Sequence, residues 1–165
     1  MRMNHELTVA FNRQISMELA ASTAYLQMAA HFETENLVGM AAWMRAQAEE
    51  EWEHAHRFLD FVLHRGNRVE IGAQEAPTSV FDSVEAVFAS ALSQEREVTK
   101  AIHQLYRLAS EDGDLASFPF LQTFIAEQNE EEDMVETILE RVRLAGDSPG
   151  ALFILDNELG GRSTG

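Results

Sequence analysis

The chain has 165 residues, which suits one domain with a sizeable hydrophobic core. It carries 28 acidic and 12 basic residues, and the net charge of −16 disfavours nucleic acid as a partner and favours cations. Cysteine is absent, which excludes disulfides, cysteine-ligated zinc or iron–sulfur clusters and thiol chemistry. No apolar run reaches the ~20 residues of a membrane span, and the first residues contain no apolar signal segment. We therefore expect a cytoplasmic protein without a membrane partner.

The first two predicted helices form one half of the fold. The first begins near Asn4, a favourable N-cap, and ends around residues 35–36. The second runs from about Val38 to Arg65 and ends at Gly66. Residues spaced by three and four define one face of each helix. The face of the first comprises Leu7, Phe11, Gln14, Glu18, Ser22, Tyr25, Ala29 and Phe32. The face of the second comprises Met40, Trp43, Gln47, Glu51, His54, Phe58 and Phe61.

A segment from Asn67 to Phe81 separates the second predicted helix from the third. It is long compared with the ~2–8 residues that usually join helices in a bundle. We therefore expect helices one and two to form one hairpin and helices three and four another. The long segment then crosses over between the two hairpins.

The third predicted helix begins near residues 82–83 and ends before residue 112. The fourth begins near Leu115, tolerates Pro119 in its first turn and ends at Gly146. The face of the third comprises Val84, Phe88, Ala91, Glu95, Val98, Ile102 and Leu105. The face of the fourth comprises Leu121, Phe124, Gln128, Glu131, Val135, Ile138 and Val142.

A short fifth helix is predicted over about 149–159, because Ser148 and Pro149 suit an N-cap and a first helical position. Residues 162–165 are expected to be a frayed tail. The predicted fold is all-α, with one domain over residues 1–165. It consists of a four-helix bundle over about 4–145, with a long crossover between helices two and three, followed by the fifth helix.

Each of the four long apolar faces is interrupted near mid-length by a glutamate, and the interruptions lie at matching heights. Helical rise places Glu18 level with about residue 55, close to Glu51 and His54, and Glu95 level with about residue 131, which is Glu131. An ionised carboxylate in a core is costly unless a positive charge neutralises it. Carboxylates with one imidazole suit iron or manganese, and two divalent ions would neutralise four carboxylates. The pattern favours a dinuclear metal site bridged by Glu51.

Each of these residues taken alone has another interpretation. A glutamate such as Glu18 can lie at the rim of an apolar face, and His54 can be a hydrogen-bonded core histidine. The acidic runs 49–51 and 130–132 can be solvated surfaces. The metal site is therefore inferred from the joint pattern of the four faces.

The sequence resembles the ferritin family over about residues 4–160, and the bacterial non-haem ferritins within it. In ferritin-like di-iron bundles, glutamates and Glu-x-x-His motifs project inward from the helices to hold two metals. The motifs that carry the resemblance are Met17-Glu18-Leu19, Ala48-Glu49-Glu50-Glu51-Trp52-Glu53-His54, Phe120-Leu121-Gln122 and Glu127-Gln128-Asn129-Glu130-Glu131-Glu132.

The resemblance implies three groups of iron ligands. The first position comprises Glu18, Glu51 and His54. The second comprises Glu51, Glu95 and Glu131, with Gln128 beside it. A third position, on the cavity side, comprises Glu50, Glu127, Glu130 and Glu131. The resemblance also implies that Tyr25 can supply an electron and that twenty-four copies form a hollow shell, with the fifth helix at its fourfold axes.

Differences from related subfamilies indicate which ferritins this chain resembles least. Bacterioferritins have a second Glu-x-x-His in the fourth helix, where this chain has Gln128 and Glu131, so that subfamily is disfavoured. Trp52 occupies the position of their haem-ligating methionine, so no haem is expected. Animal-type threefold channels have acids at the positions of Phe118 and Leu121.

The function implied by the resemblance is a ferroxidase and iron store that oxidises Fe²⁺ with dioxygen or peroxide and keeps Fe³⁺ as a mineral. Two alternatives come from other classes. One is a di-iron or manganese oxidase that acts on an organic substrate or peroxide and needs no large shell. The other is a structural or signalling bundle of cytokine type, which gives no reason for the acids on the apolar faces. The size of the particle distinguishes the storage function from the first alternative.

Overall fold

The structure is a computed structural model, and it describes residues 2–161. Its helices are α1 (His5–Thr34), α2 (Val38–His64), α3 (Val84–Glu111), α4 (Phe118–Ala145) and α5 (Pro149–Gly160). No β-strand occurs in residues 2–161, so the predicted all-α fold is confirmed. The tail predicted at 162–165 lies outside the described residues. None of the helices in the described part of the chain is long and apolar enough to span a membrane.

Side-chain caps begin three of the helices at the positions that the sequence indicates. Asn4 Oδ1 accepts a hydrogen bond from Leu7 N at 2.8 Å. The Ser83 hydroxyl caps α3 and the Ser148 hydroxyl caps α5 in the same way. Such caps satisfy backbone N–H groups that have no partner within the helix. Gly146 ends α4 with a φ of 54°, a conformation that glycine adopts without strain.

The start of α4 differs from the prediction near Leu115. Residues Leu115–Ser117 form a 3₁₀ turn, and the α-helix begins at Phe118. Pro119 has no N–H to donate to the carbonyl of Leu115, so the α-helical bond between these residues cannot form. Asp114 also holds the turn, because it accepts a hydrogen bond from the Ser117 hydroxyl at 2.5 Å.

The long helices pack as two hairpins, α1 with α2 and α3 with α4, as expected from the long crossover. The crossover runs along α1, where Asn12 Nδ2 donates to the Arg68 carbonyl at 3.0 Å and the Ser16 hydroxyl accepts from Gly72 N at 2.9 Å. These bonds satisfy backbone groups of a segment that has no secondary structure of its own.

Two apolar clusters fill the bundle, one on each side of a polar layer. One contains Tyr25, Trp43 and Phe88, and the other contains Phe11 and Phe58. In every long helix the glutamate of the apolar face lies between the residues of the first cluster and those of the second. The core therefore encloses the polar layer from both ends and excludes water from it.

Helix α5 packs on the N-terminal end of α2. Leu37, the N-cap of α2, offers no side-chain cap, and Asp156 Oδ1 of α5 accepts from Met40 N at 2.8 Å instead. Gly39 makes this approach possible, because a Cβ there would lie 1.8 Å from the backbone oxygen of Asp156. Gly160 also permits this approach, since a Cβ there would lie 2.8 Å from Gly39 Cα.

Candidate metal centre

The polar layer contains the four glutamates of the apolar faces, and all four are withdrawn from solvent. Glu18, Glu51 and Glu95 have no exposed surface, and Glu131 is 7% exposed. Each comes from a different long helix, so the site depends on the packing of the whole bundle. Burial of so many acids without a cation is unfavourable.

The first predicted group is compact. Glu18, Glu51 and His54 each offer one ligand atom, and these atoms lie within 4.8 Å of one another. His54 Nδ1 lies 3.3 Å from Glu51 Oε2, across one turn of α2. Residues three apart on a helix share a face, which explains why the Glu-x-x-His spacing brings these two side chains together.

Two carboxylate oxygens in this group have no partner. Glu18 Oε2 and Glu51 Oε1 are buried and accept no hydrogen bond. Buried polar atoms are nearly always paired, so an orphan oxygen needs an explanation. A cation between Glu18, Glu51 and His54 would satisfy both oxygens, and the donor set is one that iron or manganese accepts.

The second predicted group is held by hydrogen bonds. Glu95 accepts from the Tyr25 hydroxyl through Oε1 and from Gln128 Nε2 through Oε2, the latter at 3.2 Å. Glu131 Oε2 accepts from Gln47 Nε2 at 2.9 Å. Within residues 2–161, these acids and Glu51 do not come as close to one another as the members of the first group. Gln128 Oε1 is buried without a partner and is a further free ligand atom.

The acids raise one another's affinity for protons. Burial, and then the charge of Glu51, raises the pKa of Glu18 well above its usual range. Burial and the charge of Glu95 do the same to the pKa of Glu51. Burial, followed by the charges of Glu50 and Glu95, raises the pKa of Glu131 to about 8. A divalent cation would relieve this repulsion between the carboxylates, so the charges of the layer favour metal binding.

Tyr25 contacts the second group through Glu95. It is fully buried, its ring centroid lies 6.3 Å from that of Trp43, and its hydroxyl bonds Glu95. Burial and the negative charge of Glu95 raise the pKa of the Tyr25 phenol well above its usual range. The Tyr25 phenol is therefore protonated at neutral pH.

The third predicted group is dispersed. Glu50 lies beside Glu131 and contributes to its raised pKa. Glu127 is half-buried and pairs with Arg57, with Oε2 at 2.7 Å from Nη1. Glu130 is exposed on α4. In the part of the chain that the structure describes, these carboxylates do not form a compact group of the kind that Glu18 belongs to.

Three residues that contact the site were not assigned a role from the sequence. Gln14 Nε2 donates to Glu18 Oε1 at 2.7 Å, and Gln47 supports Glu131 as described above. Both glutamines stand on the predicted apolar faces, one turn before a glutamate, and that position is the signal that could have identified them. Arg57 carries no such signal, because it lies off the apolar face of α2.

A four-helix bundle with a buried layer of carboxylates and one imidazole defines a class of helical metal-binding proteins. Comparisons with known proteins narrow this class. The pattern of the Ferritin-like domain family matches residues 9–145. The chain is 37% identical over 161 residues to a bacterial non-heme ferritin of Staphylococcus aureus strain USA300, with 98% of this chain and 97% of that protein covered. The chain therefore belongs to the ferritin family.

Solved structures agree with this placement. An open-pore ferritin from the hyperthermophilic archaeon Archaeoglobus fulgidus matches with a TM-score of 0.95 and 42% identity, over 97% of this chain and 98% of that one. A humanized archaeal ferritin matches with a TM-score of 0.95 and 39% identity, over 97% of each chain. The ferritin resemblance inferred from the sequence motifs is thus confirmed.

Proposed function

We propose that this protein is a cytoplasmic ferroxidase and iron store, which oxidises Fe²⁺ in the polar layer and keeps Fe³⁺ as a mineral in a hollow shell of twenty-four copies. One observation carries the proposal. Glu18 Oε2 and Glu51 Oε1 are buried acceptors without partners, beside an imidazole, in a layer of mutually repelling carboxylates. Membership of the ferritin family and the ferritin structural neighbours support iron as the metal.

Two Fe²⁺ ions are the substrate, and the chain holds them by charge and geometry. Glu18 and His54 serve the first position, Glu95 and Glu131 the second, and Glu51 lies between the two pairs. Four carboxylates match the charge of two divalent ions. Two metals held at a fixed spacing with open positions can bind and orient a further reactant, which here is the oxidant. Gln128, whose Oε1 is free, stands next to the second position.

The electrons balance without an added cofactor. Each Fe²⁺ loses one electron, and dioxygen takes up two electrons and two protons to become peroxide. With peroxide as the oxidant, the two electrons and two protons yield water. Tyr25 is the proposed donor of one further electron to the oxidant, and the phenol proton passes to the Glu95 oxygen that already accepts its hydrogen bond.

Oxidised iron then leaves toward the cavity of the shell. Glu50 and Glu130 are the proposed third position, which Glu131 links to the centre; Glu127, the remaining member of the predicted group, is held by Arg57. The net charge of −16 gives such a cavity an excess of oxygen ligands for Fe³⁺. Helix α5, with Phe153 and Ile154 exposed, is the proposed element at the fourfold axes.

The site assignment is tested by aerobic Fe²⁺ oxidation, followed by absorbance, in Glu18→Ala and His54→Ala. Both variants are expected to slow oxidation sharply while the shell still assembles. Glu97→Ala is a matched control, because Glu97 is an exposed acid on α3 that pairs with Lys100. Unchanged oxidation rates in both site variants would contradict the assignment.

Gel filtration tests the storage function separately. A shell of many copies of this 18.5 kDa chain elutes far ahead of a monomer or dimer. A small particle that still oxidises Fe²⁺ would favour the alternative of an oxidase that acts on an organic substrate or on peroxide.

A further inference from the structure

His54 is held between two carboxylates, one on each ring nitrogen. Nδ1 lies 3.3 Å from Glu51 Oε2 and faces the candidate metal centre. Nε2 lies 3.5 Å from Glu127 Oε2, on the opposite side of the ring. A shift of about half an ångström would bring this second contact to ordinary hydrogen-bond length.

Glu127 is itself fixed by Arg57. The guanidinium donates to both carboxylate oxygens, from Nη1 to Oε2 at 2.7 Å and from Nη2 to Oε1 at 3.1 Å. Nη2 also donates to the Thr123 hydroxyl at 3.3 Å. A two-point contact of this kind sets the direction of a carboxylate as well as its charge.

Phe124 completes the arrangement. The Arg57 guanidinium lies 4.0 Å from the centroid of its ring. The same ring packs edge-on against His54, with centroids 5.3 Å apart. Arg57 and His54 therefore pack against the same aromatic side chain, and Glu127 lies in contact with both of them.

We infer that Glu127, clamped by Arg57, is a positioning residue for His54, an inference that rests on the proposed function of the centre. The Glu127 carboxylate accepts a hydrogen bond from Nε2–H and so keeps the proton on Nε2 and the lone pair on Nδ1, where it faces Glu18 and Glu51. Metal-bound histidines commonly donate their second ring N–H to a carboxylate, and loss of that partner weakens metal binding by about 10- to 100-fold. This role differs from that of a ligand at the third iron position.

Removal of Arg57 should change metal affinity in one direction if Arg57 acts only through its charge, and in the opposite direction if it positions Glu127 and His54. Arg57 is a cation near a cation site, so its removal should tighten metal binding if only electrostatics mattered. If Glu127 were a metal ligand restrained by Arg57, removal of Arg57 would free that ligand and increase the amount of metal bound. If Arg57 positions Glu127 and His54, removal should weaken the first metal position.

The experiment is a Co²⁺ titration of the assembled protein in the absence of iron, followed by calorimetry and by visible absorption. The absorption that His54→Ala abolishes identifies the first position. Arg57→Gln is expected to weaken that position by about 10-fold. Arg45→Gln is the matched control, because Arg45 lies on the same helix and pairs with Glu33 at 3.3 Å on the surface. It should leave Co²⁺ affinity unchanged.

Two variants of Glu127 give an independent readout. Glu127→Gln keeps an oxygen that can accept from Nε2 and should retain near-normal Co²⁺ affinity. Glu127→Leu should lose about 10-fold. Arg57→Gln or Glu127→Leu with affinity equal to or tighter than that of the wild type would overturn the inference alone. Wild-type protein without a Co²⁺ site at His54 would overturn the proposed function as well.

Discussion

Glu131→Gln should stabilise the metal-free protein, although it removes a proposed metal ligand. The Glu131 side chain is 7% exposed, and its pKa is raised to about 8 by burial and by the charges of Glu50 and Glu95. An unfolded chain would return the pKa to about 4.3. Keeping the proton on Glu131 at pH 7 costs at most about 3–4 kcal/mol, since each pKa unit is worth about 1.36 kcal/mol.

Part of that cost is relieved when the neighbouring carboxylates take up protons or move apart. We expect Glu131→Gln to raise the free energy of unfolding by about 2 kcal/mol at pH 7, and the melting temperature by about 4–8 °C. The amide retains an oxygen that can accept from Gln47, so the size and packing of the side chain are preserved.

The pH dependence follows from the sign of the shift. A carboxyl whose folded-state pKa is raised costs no stability below its unfolded pKa, and the cost grows until the pH passes the folded-state value. The difference between Glu131→Gln and the wild type should therefore vanish near pH 4 and be largest near pH 8. Thermal denaturation of chelator-treated protein at several pH values measures it. A variant less stable than the wild type at pH 8, or a difference independent of pH, would refute the reasoning.

Three further predictions concern other parts of the molecule. Gly39→Ala places a Cβ 1.8 Å from a backbone oxygen of α5 and should displace that helix. Urea denaturation should show a free energy of unfolding lower by about 1–3 kcal/mol. An unchanged free energy of unfolding would contradict this packing. The Arg65 guanidinium donates hydrogen bonds to Asp114 and lowers the pKa of that carboxyl. The pair therefore stabilises the fold fully above the usual aspartate pKa of about 4. This stabilisation is lost as the pH falls through the lower folded-state pKa. Asp114→Asn should remove this part of the acid dependence in denaturation curves, and an unaltered curve would count against it. Gln14→Leu removes the amide that holds a first-position carboxylate and should weaken Co²⁺ binding there by about 10-fold, whereas Gln104→Leu, at an exposed position on α3, should not.

Helical periodicity explains why much of the fold and the placement of the acids could be predicted. Glutamates on apolar faces are conspicuous, and the fixed rise per residue sets their relative heights once the turns are located. Glu18 and His54 come together in the structure because the turn near Asn36 is short, and short turns leave little freedom of register. The caps at Asn4 and Ser83 were readable for a similar reason, since capping depends on a few adjacent residues.

Contacts that depend on side-chain direction could not be predicted. Gln47 stands one turn from Glu51 on α2, yet it bonds Glu131 on α4, and sequence spacing cannot distinguish these partners. Arg57 and Glu127 lie on half-exposed surfaces, where a charged residue carries no pattern. The 3₁₀ turn before α4 depends on a missing N–H at Pro119, which affects a bond four residues earlier.

Two iron ions are proposed to bind between the four buried glutamates. Crystals soaked anaerobically with Fe²⁺ and measured at the iron absorption edge test this proposal most directly. We predict two anomalous peaks in each subunit, one beside Glu18 and His54 and one beside Glu95 and Glu131, with Glu51 in contact with both. Crystals without iron at Glu51, or with iron confined to exposed acids, would contradict the account.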